Sequence, residues 1–243
     1  RGARGELMSG LAGADETARV REVYAGRAER LAGAGTYSLA NDAYLFAIQS
    51  RQRAVLRMLR REGMWPPVDK DILEVGCGNG GVLLELLSYG ADPHRLHGTD
   101  LLAERVAAAR ERLPHLPISA SSGTALPFPD DSFDLVLQFT VFSSILDRAI
   151  CYTVASEIVR VLRSGGMVLW YDFWINPLNK QTRGIRPSEI RACFPGCDIV
   201  FDRITLAPPL ARRIVPVSWT AATLLEKIGF LNTHYLAIVR PQE

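Results

Sequence analysis

The stretch Asp71-Ile72-Leu73-Glu74-Val75-Gly76-Cys77-Gly78-Asn79-Gly80-Gly81 decides the fold of this chain. Asp71 to Val75 is a short apolar run that predicts a strand, with one acid, Glu74, near its end. Glycines at 76, 78 and 80 follow at once, and residues 81–89 predict a helix. Glycine allows backbone angles closed to other residues and lets a ligand approach the main chain. The start of the helix presents unpaired N–H groups that suit a carboxylate or a phosphate.

The same rhythm continues downstream. Residues 96–99, 118–120, 133–139 and 167–171 predict strands, and residues 103–113 and 150–162 predict helices between them. Apolar strands alternating with helices imply a parallel sheet covered on both faces. Right-handed crossovers then align the strand C-terminal ends along one edge, where ligands bind in such sheets. The last third departs from this order. It reads as a helix at 187–194, a strand at 199–206, a proline- and arginine-rich stretch at 207–216, a helix at 219–228 and a final strand at 234–239. The last two of these seven strands predict a terminal antiparallel pair. Upstream, residues 1–14 read as a flexible leader and 16–32 as a helix broken at Gly33-Ala34-Gly35. A second helix runs from the cap Asn41-Asp42 to about residue 63, with Tyr44, Ile48, Val55 and Leu59 near helical spacing and Pro66-Pro67 beyond it.

Composition narrows the function classes. The 243 residues are 48% hydrophobic and 22% charged, which suits one α/β domain with additions and excludes a disordered or fibrous chain. The net charge is +2 and no dense Lys/Arg run occurs, so no nucleic-acid partner is expected. Cys193 and Cys197 lack a second metal-type pair, and His94, His97 and His115 lie on other segments, so no metal is expected. Cys77 and Cys151 complete a reduced-thiol pattern that, with no signal-type apolar core in residues 1–15, points to the cytoplasm. No apolar run approaches the ~18 residues that span a bilayer.

The glycine loop alone satisfies two cofactor fingerprints. Gly76, Gly78 and Gly81 match the dinucleotide spacing, and Asp100 ends the second strand where an acid accepts hydrogen bonds from a ribose diol. An NAD(P)-dependent oxidoreductase therefore stands beside the other reading at this point. Glu74 lies inside a strand end, where packing gives an acid no reason to be. With Gly98-Thr99-Asp100, the stretch from Ser121 to Asp134 that contains Leu126-Pro127-Phe128-Pro129, and Arg160-Val161-Leu162-Arg163-Ser164-Gly165-Gly166, it resembles the class I S-adenosylmethionine-dependent methyltransferases of small-molecule type. The resemblance covers about residues 70–175 and rests on four motifs in the family's order.

The resemblance implies a Rossmann-like fold, with residues 1–66 as leader and N-terminal helical lid and 67–243 as the methyltransferase domain. Glu74 and the backbone of Gly76, Cys77, Gly78 and Gly80 would hold the methionine end of S-adenosyl-L-methionine. Asp100 would take the ribose hydroxyls and Leu101 would pack on the adenine. Ser122 and Gly123 would read the adenine edge, with Ser122 standing where the family usually has an acid. Gln138 would sit near the sulfonium, and residues 139–143 would border the reacting centre.

A methyl sulfonium is already activated, so orientation of the acceptor carries most of the catalysis. A base is needed only for a protonated acceptor such as a hydroxyl. Asp172, after the fifth strand, is the candidate catalytic base and His234 the runner-up. Phe142, Tyr171, Trp174 and Arg183 are candidate substrate-binding residues, and Tyr37 and Tyr44 candidate lid residues. The expected reaction is O-methylation of a small molecule or glycan; a cofactor-binding domain without catalysis is the third reading. Residues 206–228 mix apolar side chains with Arg212-Arg213, which suits peripheral contact with a membrane.

Overall fold

A computed structural model describes residues 16, 18–23, 26, 35, 37–175 and 181–242. The expected leader, much of the expected helix at 16–32 with its glycine break, and residues 176–180 lie outside the described residues. Residues 16, 18–23 and 26 are helical, as expected.

Helix α1 (Asp42–Arg61) starts where Asn41 accepts a hydrogen bond from the Tyr44 N–H at 3.1 Å. Strand β1 (Ile72–Val75) runs through the glycine loop into α2 (Gly81–Ser88). There follow β2 (Leu96–Asp100), α3 (Ala103–Arg112), β3 (Ile118–Ala120), β4 (Phe133–Phe139) and α4 (Arg148–Val161). The remainder is β5 (Leu162–Phe173), α5 (Pro187–Cys193), β6 (Cys197–Leu206), α6 (Pro208–Ile214), α7 (Trp219–Glu226) and β7 (Asn232–Pro241).

These strands form one seven-stranded sheet in the order β3-β2-β1-β4-β5-β7-β6. The first five are parallel; β7 pairs antiparallel with β5, and β6 antiparallel with β7. The α/β, mostly parallel sheet with a terminal antiparallel pair matches the expectation. It differs from the dinucleotide-binding order 3-2-1-4-5-6, in which no antiparallel strand separates the last two.

The sheet is buried on both faces. On one, Ile72, Leu135, Leu137 and Leu169 pack beneath α1, α2 and α3. On the other, Leu73, Val136, Val168 and Trp170 pack beneath α4 and α5. Successive strand residues point to opposite faces, so Glu74 shares the α1–α2 face with Ile72. A third, smaller pack joins Phe46 of α1 to Ala211, Val215 and Ala222 of α6 and α7.

Two elements differ from the sequence expectation. Strand β5 begins at Leu162 rather than at Met167, because the chain leaves α4 straight into pairing with Phe133 and shifts register before Leu135. Residues 208–214 are helical. Pro208 and Pro209 occupy the first turn, where a missing N–H costs nothing and the fixed φ favours helix entry.

Leu137 lies fully buried at the sheet centre, whereas Leu224 is 58% exposed. Leu137→Ala is expected to destabilise the protein by about 2–5 kcal/mol and Leu224→Ala by less than about 0.5 kcal/mol. Urea unfolding midpoints measure both, and equal shifts would contradict the assigned core.

Candidate functional site

The C-terminal ends of β1, β2, β4 and β5 open onto one large cavity. Its floor is the glycine loop. Gly76, Gly78 and Gly80 take φ values of +74°, +54° and +75°, a region that side chains with a Cβ rarely enter. Space excludes a larger residue as well. A Cβ on Gly76 would clash with the Val141 side chain, and one on Gly80 would come within 2.7 Å of Leu113 Cδ1.

The loop is anchored from the neighbouring strand. The N–H groups of Gly76 and Cys77 both donate to the Thr99 carbonyl, at 2.7 and 2.9 Å. Asp100 accepts from the Gly78 N–H at 2.8 Å and from the Leu102 N–H at 3.0 Å. Helix α2 begins at the open end of the loop with no side-chain cap. The Leu83 N–H reaches the Glu74 carboxyl, and the N–H groups of Gly81 and Val82 are left for a ligand or solvent.

Glu74 is 2% exposed and its Oε2 has no hydrogen-bond partner. Burial pushes its carboxyl up to about 8, opposed by Arg51 and reinforced by Glu85 and Asp100. A buried acid with an orphaned oxygen, beside a cradle that a Cβ would fill, is chemically suited to a ligand cation. The side chain fits the ammonium end of S-adenosyl-L-methionine, and the open start of α2 fits the carboxylate.

Of the residues expected at the cofactor, Glu74, Gly76, Cys77, Gly78, Asp100, Leu101, Ser122 and Gly123 line the cavity. Gly80 does not; it packs between the loop and α3. Ser122 meets Thr124 Oγ1 at 2.8 Å and accepts from the Thr124 N–H at 3.2 Å, which shapes the turn at that rim. The Cys77 thiol is buried and its pKa is raised by that burial. Gln138 is not at the cavity. It is fully buried on the α4 face, with Oε1 accepting from the Val141 N–H at 3.1 Å.

The expected catalytic base is also turned away. Asp172 follows Trp170 on the α4 face and is 1% exposed. Its oxygens accept from Ser143 N–H at 3.0 Å and Phe173 N–H at 2.9 Å, so it ties the end of β5 to the turn after β4. Burial raises its pKa to about 6, against the pull of the Ser143 and Phe173 hydrogen bonds. His234 stacks on Tyr171 at 4.7 Å, is 5% exposed, and is driven to about 3 by burial and by Arg51.

Among the expected substrate-binding residues, Tyr171 lines the cavity and the other three do not. Phe142 is buried 4.4 Å from Trp170. Trp174 donates from Nε1 to the Asn232 carbonyl at 2.7 Å, beneath Arg203. Arg183 spans the Ile145 carbonyl at 3.1 Å and Glu189 at 2.7 Å, which makes it a clamp between loop and α5.

The sequence reading missed Arg51. Its guanidinium reaches from α1 to Glu85 on α2 at 2.5 Å, and lies 5.4 Å from the Phe139 ring centre and 5.7 Å from that of Tyr171. A cation one turn beyond Ile48, on the stripe carrying Tyr44, was the available signal. Tyr44 and Ile48 line the cavity with Arg51, and Tyr37 meets Tyr44 edge-on at 5.5 Å. Glu16 accepts from the Leu146 N–H at 2.8 Å and Arg19 donates to the Ser144 carbonyl at 2.5 Å, so the N-terminal helical residues rest on the cavity's other wall.

Comparison with known proteins agrees with this geometry. Residues 73–170 match a family described as "Methyltransferase domain". A probable S-adenosylmethionine-dependent methyltransferase of Mycolicibacterium smegmatis is 38% identical over 105 residues, covering 41% of this chain and 37% of that one. The 2-methyl-6-phytyl-1,4-hydroquinone methyltransferase of Synechocystis is 26% identical over 192 residues, covering 72% of this chain and 57% of that one. This chain thus spans about two fifths to three fifths of the length of these relatives. A solved S-adenosylmethionine-dependent methyltransferase from Archaeoglobus fulgidus superposes with a TM-score of 0.57 at 16% identity, covering 82% of this chain and 99% of that one. Residues 73–170 are thus similar to a methyltransferase-domain family, and the glycine loop, the orphaned acid and the strand order agree with that similarity.

Proposed function

We propose that this chain transfers the methyl group of S-adenosyl-L-methionine to a hydroxyl of a small molecule. The observation that carries the reading is the unpartnered, buried Glu74 oxygen beside the glycine cradle. In this reading Glu74 takes the cofactor's ammonium, the start of α2 takes its carboxylate, and Asp100 and Leu101 take ribose and adenine. Bound cofactor supplies an electrophilic methyl group; the protein supplies alignment. Tyr37, Tyr44 and the helical residues before them form the lid over it, within an N-terminal unit of residues 1–66 ahead of a methyltransferase domain at 67–243.

The walls of the cavity bear on the acceptor. Among the described residues lining it there is no histidine. Glu85 is paired with Arg51, Glu16 with Arg19, Asp100 with two backbone N–H groups and Asp147 with the Ala149 N–H, while Glu104 is exposed on α3. Tyr171 is pushed up to about 12 by burial and is a poor base at neutral pH. An aliphatic sugar alcohol needs a base, whereas a phenol or hydroquinone brings its own acidity. The walls favour the phenolic class over a glycan, and one relative is named for a hydroquinone.

Transfer to a panel of hydroquinones, phenols and sugars tests this. Phenolic products whose yield rises with the phenolate fraction are expected, and methylated sugar with no phenolic product would overturn it.

Glu74 gives a test that needs no acceptor. Its carboxyl is raised from 4.5 to about 8, so the folded state holds the proton more tightly and stability falls as pH rises through that window. Glu74→Gln should therefore raise the melting temperature of the ligand-free protein above about pH 8 and weaken binding of S-adenosylhomocysteine. Binding to the parent protein should release a proton below that pH, visible in calorimetry with buffers of different ionisation heat. A variant that binds as tightly as the parent would remove Glu74 from the site.

Gly78→Asp supplies a second arm. Asp tolerates the left-handed conformation, and the nearest atom to its Cβ is flexible Arg105 at 3.2 Å, so the fold should survive. The added carboxylate fills the cradle beside Asp100, and cofactor affinity should be lost. Unchanged affinity would overturn the placement.

A further inference from the structure

The C-terminal helices carry a surface that the cavity does not use. Helix α7 buries Ala222 against Phe46 of α1 and Val215 of α6. Trp219 meets Phe46 edge-on at 5.4 Å, and Glu226 turns inward to Ser50 and lies 3.8 Å from Arg53. The opposite face is left outward. Leu224 and Lys227 are exposed there, with Val217 85% exposed before the helix and Phe230 73% exposed after it. Ile228 and the outer edge of Trp219 are exposed on the same segment, and Arg212 and Arg213 are exposed on α6.

Charge on this segment has one sign. Between 207 and 231 the basic residues are Arg212, Arg213 and Lys227, and the acid is Glu226, which faces α1. Large apolar side chains kept in the open beside exposed cations, with no outward acid, suit an interface with anionic headgroups above and acyl chains beneath. A two-fold copy of the chain would set these three cations against themselves, which like-charge repulsion opposes.

We propose that the outer face of α6, α7 and the turn into β7 docks on an anionic lipid surface, with Leu224, Ile228 and Phe230 entering the acyl boundary and Arg212, Arg213 and Lys227 meeting the headgroups. Helix α1 lies between this face and the cavity: Phe46 belongs to the α6–α7 pack, and Tyr44, Ile48 and Arg51 line the cavity. Docking therefore brings the cavity within one helix of the membrane, which suits a lipophilic acceptor.

Flotation of the full chain with phosphatidylglycerol/phosphatidylcholine vesicles, against phosphatidylcholine alone, tests the proposal without any activity readout. Binding to the anionic vesicles at low salt and its loss at high salt are expected. R212A/R213A should bind about 30-fold more weakly, at the usual contribution per basic residue near such a surface. L224D/F230D should not bind at all. These side chains are exposed, so both variants should melt like the parent and keep its affinity for S-adenosylhomocysteine; that affinity separates failure of docking from failure of the cofactor reading. No binding by the parent at low salt overturns the proposal. So does binding that both variants retain, which would come from elsewhere on the chain. Self-association of the parent that L224D/F230D abolishes, without vesicle binding, identifies a second copy as the occupant instead.

Discussion

The carboxylate of Asp100 holds the ligand-binding edge together. It accepts two backbone hydrogen bonds, from Gly78 in the loop after β1 and from Leu102 at the entry to α3. Hydrogen bonds to an ionised acceptor are roughly twice as strong as neutral ones, and both are shielded from water here. They fix a loop of three left-handed glycines that would otherwise have many conformations open to it. The cradle, the open start of α2 and the facing turn at Val141 are all positioned relative to that loop. An acid at the end of β2 thus builds the site before it meets any ligand.

The mostly parallel sheet with its antiparallel end and the position of the glycine loop were legible because they rest on strong local signals. Alternating β–α units fix a parallel sheet, and Glu74 is conspicuous in a strand that is otherwise apolar. The failures share one physical cause. Parallel strands covered on both faces read as continuous apolar runs, so the sequence carries no alternation to say which side chain faces the cavity. Gln138 and Asp172 were both placed by their position at a strand end. Both point to the α4 face.

Register resolves the ambiguity. Glu74 pairs with Leu137, and Leu137 with Leu169. Side chains two residues on, Phe139 and Tyr171, therefore share the Glu74 face, while Gln138, Trp170 and Asp172 share the other. Parity counted from Glu74 would have selected Tyr171 and rejected Asp172. No such count reaches Arg183 or Trp174. Those side chains are held by partners distant in sequence, the Ile145 carbonyl and the Asn232 carbonyl, and only the folded chain brings them together. Residues 208–214 failed for a different reason: two adjacent prolines suggest a loop, yet at the first turn of a helix they are well tolerated.

Arg51 shows how one buried cation sets the chemistry of a whole wall. Desolvating a guanidinium is costly, and Glu85 together with the faces of Phe139 and Tyr171 offsets that cost. The same charge reaches further. It draws Glu74 toward ionisation and helps keep His234 neutral. With Glu85 matching Arg51, Tyr171 held as a phenol and His234 uncharged, the group at this end poised near neutral pH is Glu74, raised to about 8. On the proposed reading Glu74 gains a positive partner when the cofactor's ammonium arrives. On the same reading the wall orients the acceptor, and the acidity needed for transfer resides in the acceptor itself.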